Sequence, residues 1–576
     1  MLSKNTYYSM NIDNISLIKK NNNIFYKIKT YLVERISNIK CSEYLNTFIL
    51  GDSSYISDNV LESYRTNGIS HLFSVSGMHI TLLSCLILYI LNKVKKRNIN
   101  YLFVILFLLF YMFLTNFTPS VMRATFLFIF LTLNKLLKLN LSTVRIFLLI
   151  LMINIIINPY NIYNIGFKFS YIISFYLIIF SKIINRYKSY IVKILVTSSI
   201  SFLASIPILI NNYFSINIMT ILNNIIFVPL ISIIIFPFSL IVILIPKLDI
   251  IFEFMINVLE SLSLFITNFK VELIFCKVNI FIIILYYLII SFVLYKFYKR
   301  KYKYIFLIAI VLFIHTNINY IRNNAFVTFI DVGQGDSSLI HLGRNKSDIL
   351  IDTGGKYNYD TSKDIISYLM SVGIKDIDFL ILSHGDYDHM GEAINLVNNF
   401  KVEKVIFNCG EFNELEQDLI KVLKKKKIKY YSCIKELNID KNKLYFLQTK
   451  EYDNENDNSN VIYTELDGYK FMFIGDVGVD KEKDILDRYN VNDVDVLKVG
   501  HHGSRTSSGK EFIDEINPKY SVISVGKNNR YGHPNKEVLN NLKDTKIYRT
   551  DQDGSIMFKI KNNKLKIETC SPQEGR

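Results

Sequence analysis

The apolar positions of this chain fall into two regimes. From residue 71 to about 318 they form runs near the length of a bilayer-crossing helix, and from 325 onward they recur in short β-type stretches. The first regime predicts spans over 71–92, 101–116, 119–134, 146–158, 165–182, 194–212, 217–245, 250–267, 278–296 and 304–318. The seventh is long and carries Pro229 and Pro237, so it is expected to be broken, re-entrant or two pieces. The second regime predicts strands at 325–331, 337–342, 349–352, 379–382, 405–408, 461–465, 470–474, 494–498 and 521–525, with helical stretches such as Ser362–Ser371 and Glu414–Lys426. Residues 1–70 are polar and mixed and read as a tail without a span; the acidic, Asn-rich 451–460 reads as an exposed loop. The pattern divides the chain into a tail (1–70), a polytopic α-helical membrane domain (71–318) and a mixed α/β domain (319–576).

Charge adds an orientation. The net charge of +16 invites a nucleic-acid reading, but its distribution does not support one. Residues 321–576 hold 37 Lys and Arg against 40 Asp and Glu, whereas residues 1–320 hold 29 against 10. The basic groups of the membrane domain cluster at 93–97, at Lys135, Lys138 and Arg145, at 182–193 and at 296–303. They alternate with the charge-poor loops 116–119, 159–164 and 211–217. The positive-inside rule puts the basic set in the cytoplasm, so the last span runs outward and the domain after about residue 319 is extracytoplasmic. The same parity leaves 1–70 outside despite eight Lys and Arg, which suggests that preceding spans are missing from this chain or that its start is abnormal. The six cysteines form no CxxC pair; Cys409 and Cys433 could pair in an outside domain, but two buried free thiols are the expectation.

Candidate chemistry concentrates at strand ends. Ser383–Gly391, read SHGDYDHMG, packs His384, Asp386, Asp388 and His389 directly after an apolar run. Similar ends carry Ile351-Asp352-Thr353-Gly354, Ile474-Gly475-Asp476, the run LKVGHHGS with His501, His502 and Ser504, and Tyr531-Gly532-His533-Pro534. Five of the nine histidines lie in these pieces. Each piece alone is more often a turn or a surface pair, but together they can converge as a two-cation site for hydrolysis. The expected ligands are His384, Asp386, Asp388, His389, Asp476 as the bridging carboxylate, and His502, with Asp352 in support. Asp388, His501 and His502 are the expected catalytic groups, His501 protonating a leaving oxygen, and Ser504 and His533 are expected on the substrate side. The alternative is a metal-free fold.

In the apolar half, polar groups within spans mark functional candidates. They are His71, Ser76 and His79 in HLFSVSGMHI, Arg123 in PSVMRA, and Lys168 in GFKFSY. All fall at outward ends and suit an anionic substrate at the mouth of a channel. The bland reading is that Arg123 and Lys168 snorkel to headgroups while the small residues pack helices.

The strand-end pieces resemble the metallo-β-lactamase superfamily, with its HxHxDH signature, a later GD and further histidines. That implies an αββα sandwich. Asp386 stands where the signature has its second histidine, and no histidine lies between His389 and Asp476. Oxygen in place of nitrogen favours Mn²⁺ or Mg²⁺ over the Zn²⁺ common to the fold. Across residues 45–560 the membrane blocks, with Asn223-Asn224 and Pro229, followed by DVGQGD (Asp331–Asp336), IDTG, SHGDYDHMG, GD, LKVGHHGS and YGHP, resemble the ComEC-type competence family in content and order. Position 392 is Glu where a second glycine is common. The resemblance implies a multi-pass cell-membrane channel that passes single-stranded DNA inward during natural transformation, with an outer nuclease domain acting on the other strand. It also implies a divalent metal and, as partners beside DNA and the lipid bilayer, a DNA receptor, a cytoplasmic ATPase and further copies of the chain; no GxxxxGK motif supplies an internal motor. Family members usually begin with further spans and an oligonucleotide-binding-type barrel. Two readings compete: a channel whose outer domain only guides DNA, and a membrane-anchored phosphodiesterase for lipid or wall substrates, which needs far fewer spans.

Overall fold

The computed structural model describes residues 23–91, 97–356 and 359–570, so residues 1–22 and the basic stretch 93–96 lie outside the described residues. The chain folds as two units, one reaching Leu273 with Val278–Val311, the other Ile274–Lys277 with Leu312 onward.

The first unit is helical. Among the described residues, five helices are long and apolar enough to cross a membrane: Ser70–Leu91, Tyr190–Asn212, Thr220–Leu244, Pro246–Thr267 and Ile280–Tyr298. Ile99–Leu114, Thr143–Ile157, Ile165–Ile179 and Tyr302–Thr316 are apolar but shorter. The helix Pro119–Leu136 carries Arg123 and buries it. The seventh predicted span is one continuous helical run, Thr220–Leu244, rather than two pieces. After Pro229 the turn widens to π geometry over Leu230–Ile235, and Pro237 falls at the start of the following segment Phe236–Leu244. The wider turn makes room for a proline ring, whose nitrogen donates no hydrogen bond.

The expected tail is also corrected over its described part. Ile24–Ser37, Ser42–Leu45 and Asp58–Thr66 are helices, and Ile36, Tyr44, Phe48 and Tyr64 join the helical core. Apolar residues at 44, 45, 48 and 49 have helical spacing but form a run too short to register as a span.

The second unit contains two sheets. Strands β1 (Phe326–Phe329), β2 (Ser338–Leu342), β3 (Ser347–Ile351), β4 (Ile377–Ile381), β5 (Val402–Phe407) and β6 (Lys429–Ser432) belong to one sheet. β7 (Glu436–Ile439), β8 (Asn442–Phe446), β9 (Ile462–Leu466), β10 (Tyr469–Phe473), β11 (Val496–Lys498), β12 (Tyr520–Ile523) and β13 (Lys546–Arg549) form the other. β14 (Ile556–Lys561) and β15 (Lys564–Thr569) return to the first, giving orders 15-14-1-2-3-4-5-6 and 13-12-11-10-9-8-7. Each sheet passes from antiparallel to parallel pairing, at β3–β4 and at β10–β11.

Alternating residues make the layers. Val327, Phe329, Ile349 and Ile381 of one sheet pack with Phe446, Phe471, Val496 and Val522 of the other, forming the central core. The opposite faces are covered by helices: Ser362–Ser371, Ala393–Asn399 and Glu414–Lys426 on one side, and Val479–Arg488, Lys510–Ile516 and Lys536–Asn541 on the other. The result is the αββα sandwich that the motifs imply. Its parallel strands end near one rim, which sets up the site.

Candidate metal centre

Asp352 follows β3, His384 follows β4, Asp476 follows β10, and His501 and His502 follow β11. The loop after β4 is held by backbone bonds that need no side chain: Asp336 N–H donates to Asp388 O at 3.0 Å, and Thr353 N–H to His389 O at 2.7 Å. Gly355 permits this approach, since a Cβ there would fall 1.9 Å from Tyr387 O. After β11, His501 and His502 have φ of 46° and 53° and precede Gly503 at 83°. Two consecutive left-handed non-glycine residues are costly, and strain of this kind gathers at functional sites.

The side chains converge. His389 Nε2 lies 3.1 Å from Asp476 Oδ1, and His502 Nε2 lies 3.2 Å from Asp388 Oδ2 and 3.8 Å from Asp476 Oδ2. The His384 and His389 rings are 4.2 Å apart, and those of His389 and His502 5.4 Å. Donor atoms of His384, His389 and Asp476 lie within 4.8 Å of one another, as do those of Asp388, His389 and His502. His384, His389, Asp476 and His502 are buried.

The donor set fits divalent cations. Each of the three buried histidines has its Nδ1 engaged: His389 by Asp352 at 3.0 Å, His502 by Ser524 O at 2.9 Å, and His384 by Ser383 Oγ at 3.0 Å. That leaves Nε2 of each for the shared space, the arrangement that fixes ring orientation around metals. Nε2 of His384 and of His389 and Oδ1 of Asp476 are buried without a well-directed hydrogen bond, although the last two face each other at 3.1 Å, a state that a cation would relieve. Burial alone would lower the His502 pKa, but the Asp476 and Asp336 carboxylates raise it to about 10. His389 is likewise held well above its ordinary value, burial being overcome by Asp476 and Asp352. Burial would raise Asp476, yet the His389 and His502 charges hold it well below the usual carboxylate range. The protein alone therefore balances the cluster with imidazolium–carboxylate pairs.

The remaining predicted residues sit at the edge. Asp386 Oδ2 is 3.4 Å from His384 Nε2, but its side chain is 48% exposed, so it is the outermost of the expected ligands. His501 Nε2 lies 3.7 Å from Asp476 Oδ2, its side chain is 28% exposed, and Thr506 Oγ1 sits 3.2 Å from its Nδ1. Ser504 Oγ pairs with Thr506 Oγ1 at 3.0 Å, and the His533 ring is 6.2 Å from that of His501.

Two participants were given no role from the sequence. Lys498 Nζ, buried, lies 2.6 Å from Asp336 Oδ2, and Asp336 Oδ1 lies 3.3 Å from His502 Nδ1. A lysine inside the apolar run Val496–Val499 was the available signal, since a buried lysine needs a partner. The loop 451–460 is not simply exposed: Ser459 and Asn460 are buried, and Glu455 Oε1 accepts from Gly385 N–H at 2.9 Å. Glu455, Asp457 and Asn458 bond to backbone groups, a use that composition does not reveal. Cys409 and Cys433 are a disulfide with Cα atoms 4.7 Å apart, not two free thiols. Strands β5 and β6 are parallel neighbours, so their ends bring the two cysteines together.

In the helical unit, three motif blocks meet at Arg123. Its guanidinium donates to Ser170 O and Ser174 Oγ. A Cβ at Gly77 would lie 3.0 Å from its Nη2, and Ser120 Oγ donates to Val75 O at 2.6 Å. His79 is buried, with Nδ1 accepting from Ser76 N–H at 3.0 Å and its ring 4.3 Å from Phe236. His71 and Lys168 do not join this group: His71 is exposed and bonds Gly68 O at 3.1 Å, and Lys168 is half-buried.

The sandwich and its strand-end cluster define a metallo-β-lactamase-fold domain, and residues 330–527 match the metallo-β-lactamase superfamily. Residues 48–300 match the competence protein family. The chain therefore carries a competence-protein domain followed by a metallo-β-lactamase domain. ComE operon protein 3 of Bacillus subtilis is 29% identical over 556 residues, covering 89% of this chain and 70% of that protein. Competence protein ComA of Neisseria gonorrhoeae is 30% identical over 43% of this chain, which spans 34% of that protein. Among solved structures, the metallo-β-lactamase fold protein YhfI from Bacillus subtilis covers 41% of this chain and 99% of its own at 11% identity, with a TM-score of 0.30. Its apolar helices and these relatives mark the chain as a membrane protein.

Proposed function

We propose that this chain passes one DNA strand across the cell membrane during natural transformation, and that its C-terminal unit, on the outer side, hydrolyses the other strand as a metal-dependent phosphodiesterase. The observation that carries the hydrolytic half is the set of three buried imidazoles with Nε2 turned into one space lined by Asp388 and Asp476. The disulfide supports an outer location, because such bonds persist in oxidising compartments. It agrees with the orientation read from the loop charges.

His384, His389, Asp388, Asp476 and His502 would hold the cations, with Asp386 completing the outer edge. When bound, divalent cations supply Lewis acidity toward a phosphodiester and toward water. Asp352 keeps His389 oriented through Nδ1, and Ser524 O does the same for His502. His501, partly exposed and steadied by Thr506, is placed to give a proton to the leaving oxygen. Ser504 and His533 line the approach. In the membrane unit, the buried Arg123 guanidinium offers a fixed positive charge to a phosphate backbone, and burial makes that charge expensive to keep without a use.

The test uses the purified full chain in detergent, stripped of metal and then given Mn²⁺, Zn²⁺ or Mg²⁺ with end-labelled duplex DNA. Metal-dependent release of nucleotides is expected, strongest with Mn²⁺, and absent in Asp476→Asn. No release with any of the three ions would leave the outer unit as a DNA guide at most.

A further inference from the structure

We infer that Tyr531, with Arg530 and His533, forms a base-stacking subsite for an unpaired nucleotide beside the metal centre. The inference rests on the proposed action on DNA and narrows its substrate to single-stranded or frayed ends.

Tyr531 lies in the loop between β12 and the helix Lys536–Asn541 and is 54% exposed. A large ring on a surface loop is most often there to brace the loop, but this loop is braced without it. Asn529 Nδ2 donates to Gly526 O at 3.1 Å and to His533 O at 2.8 Å, while its Oδ1 accepts from His533 N–H at 3.0 Å. Gly526 N–H donates to Gln334 Oε1 at 3.1 Å, and Asn535 N–H to Gly503 O at 2.8 Å. The last bond ties the loop to the strained turn that carries His501 and His502, so the ring is held at a fixed distance from the site.

The planar groups form a series from the rim inward. The Tyr531 ring is within 13° of parallel to that of His533, with centroids 5.8 Å apart, a stacked pair. The His533 ring is 6.2 Å from that of His501, whose Nε2 is 3.7 Å from Asp476 Oδ2. The Arg530 guanidinium sits 4.8 Å from the Tyr531 centroid and donates through Nη2 to its hydroxyl at 2.6 Å.

A half-exposed aromatic ring next to a guanidinium matches a nucleotide: the exposed part of the ring takes the base and the cation takes the phosphate. Stacking tolerates any base, as an enzyme degrading arbitrary DNA requires. Within a duplex both faces of a base are covered, so only an unpaired nucleotide can use the platform.

The chain has no tryptophan, which makes Tyr531→Trp a single fluorophore at the subsite. Binding of a labelled single-stranded oligodeoxynucleotide to the full chain in detergent is measured with chelator present, so that no hydrolysis occurs. Tyr531→Trp is expected to bind as the parent does, with its indole fluorescence quenched on stacking. Tyr531→Leu is expected to bind about tenfold more weakly. Parent-like binding by Tyr531→Leu, together with indole emission from Tyr531→Trp that does not change on binding, would overturn the subsite while leaving the proposed action on DNA in place. No binding by the parent chain would overturn both.

Discussion

Asp352 Oδ2 lies 3.0 Å from His389 Nδ1, and the same carboxylate accepts from Ser383 N–H through Oδ1 at 2.7 Å. One side chain thereby fixes both the ring of a candidate ligand and the start of the loop that bears it. Asp352 itself has a left-handed φ of 61°, so its backbone is committed to this geometry. Replacing it with asparagine keeps the shape but weakens the hold on the His389 ring. Metal affinity of Asp352→Asn is expected to fall about 10- to 100-fold, measured by competition with a calibrated chelator on the full chain. Unchanged affinity would show that Asp352 serves the loop alone.

Metal uptake should release protons. In the protein alone, His389 and His502 are held protonated by the carboxylates around them, His502 up to about 10. Their folded values are raised, so both carry protons at neutral pH, and a cation must displace them. Affinity is expected to rise with pH through neutrality, with about two protons released near pH 7 as the whole cluster fills. Calorimetric titration in buffers of different ionisation enthalpy reads that number directly. A count near zero would mean that the imidazoles are not ligands.

Much of this architecture was legible, and the failures have physical causes. Each of the nine predicted strands overlaps an observed one, because buried strands of a sandwich write their apolar residues densely. The missed strands are edges or partly solvated, such as Lys429–Ser432 and Glu436–Ile439, where lysine and asparagine dilute the pattern. Ile556–Lys561 and Lys564–Thr569 could have been found: apolar and polar residues alternate, and Asn562-Asn563, both with positive φ, makes the turn. The histidines and carboxylates were visible because each sits at the end of a strand. Asp336 was hidden in a glycine-rich loop and Lys498 in an apolar run, where neither had a partner in sequence. The Cys409–Cys433 pair was named as possible for an outside domain, but spacing alone gave no reason to prefer it over free thiols.

A stability change with pH should trace to Glu482. Burial raises its carboxyl to about 7, against the bonds it accepts from Gly509 N–H, Ser508 N–H and Ser507 Oγ. A carboxyl raised above its ordinary value near 4.5 keeps its proton in the folded protein where the unfolded chain has lost it. Its contribution is therefore fully present below about 4.5 and is lost as pH rises through 7, by roughly 3 kcal/mol in all. Calorimetry of the full chain between pH 5 and 8 is expected to show a falling midpoint, with a flatter slope in Glu482→Gln. Identical slopes would assign the effect to other groups, such as Glu416, which burial also raises to about 7.

Arg123 joins residues from three motif blocks, so its loss should act on transport rather than on one helix contact. In cells dependent on this chain, Arg123→Ala is expected to cut uptake of labelled DNA at least tenfold at unchanged membrane abundance. Hydrolysis by the purified variant should stay near parental, because Arg123 belongs to the helical unit. Normal uptake would remove Arg123 from any path for DNA and return it to helix packing.

The Cys409–Cys433 bond offers a test of sidedness that needs no activity. It joins the end of β5 to the residue after β6, beside the loop in which Asn413 Nδ2 donates to Gly385 O at 2.8 Å. With the cysteines 24 positions apart in sequence, its removal is expected to cost about 3 kcal/mol. In intact cells, a membrane-impermeant maleimide should label these two thiols only after an impermeant reductant has been added, scored by mass spectrometry of the peptides. Labelling without reductant would mean that the pair is open. Labelling that requires permeabilised cells would put the sandwich on the cytoplasmic side, and the orientation read from loop charges would fall with it.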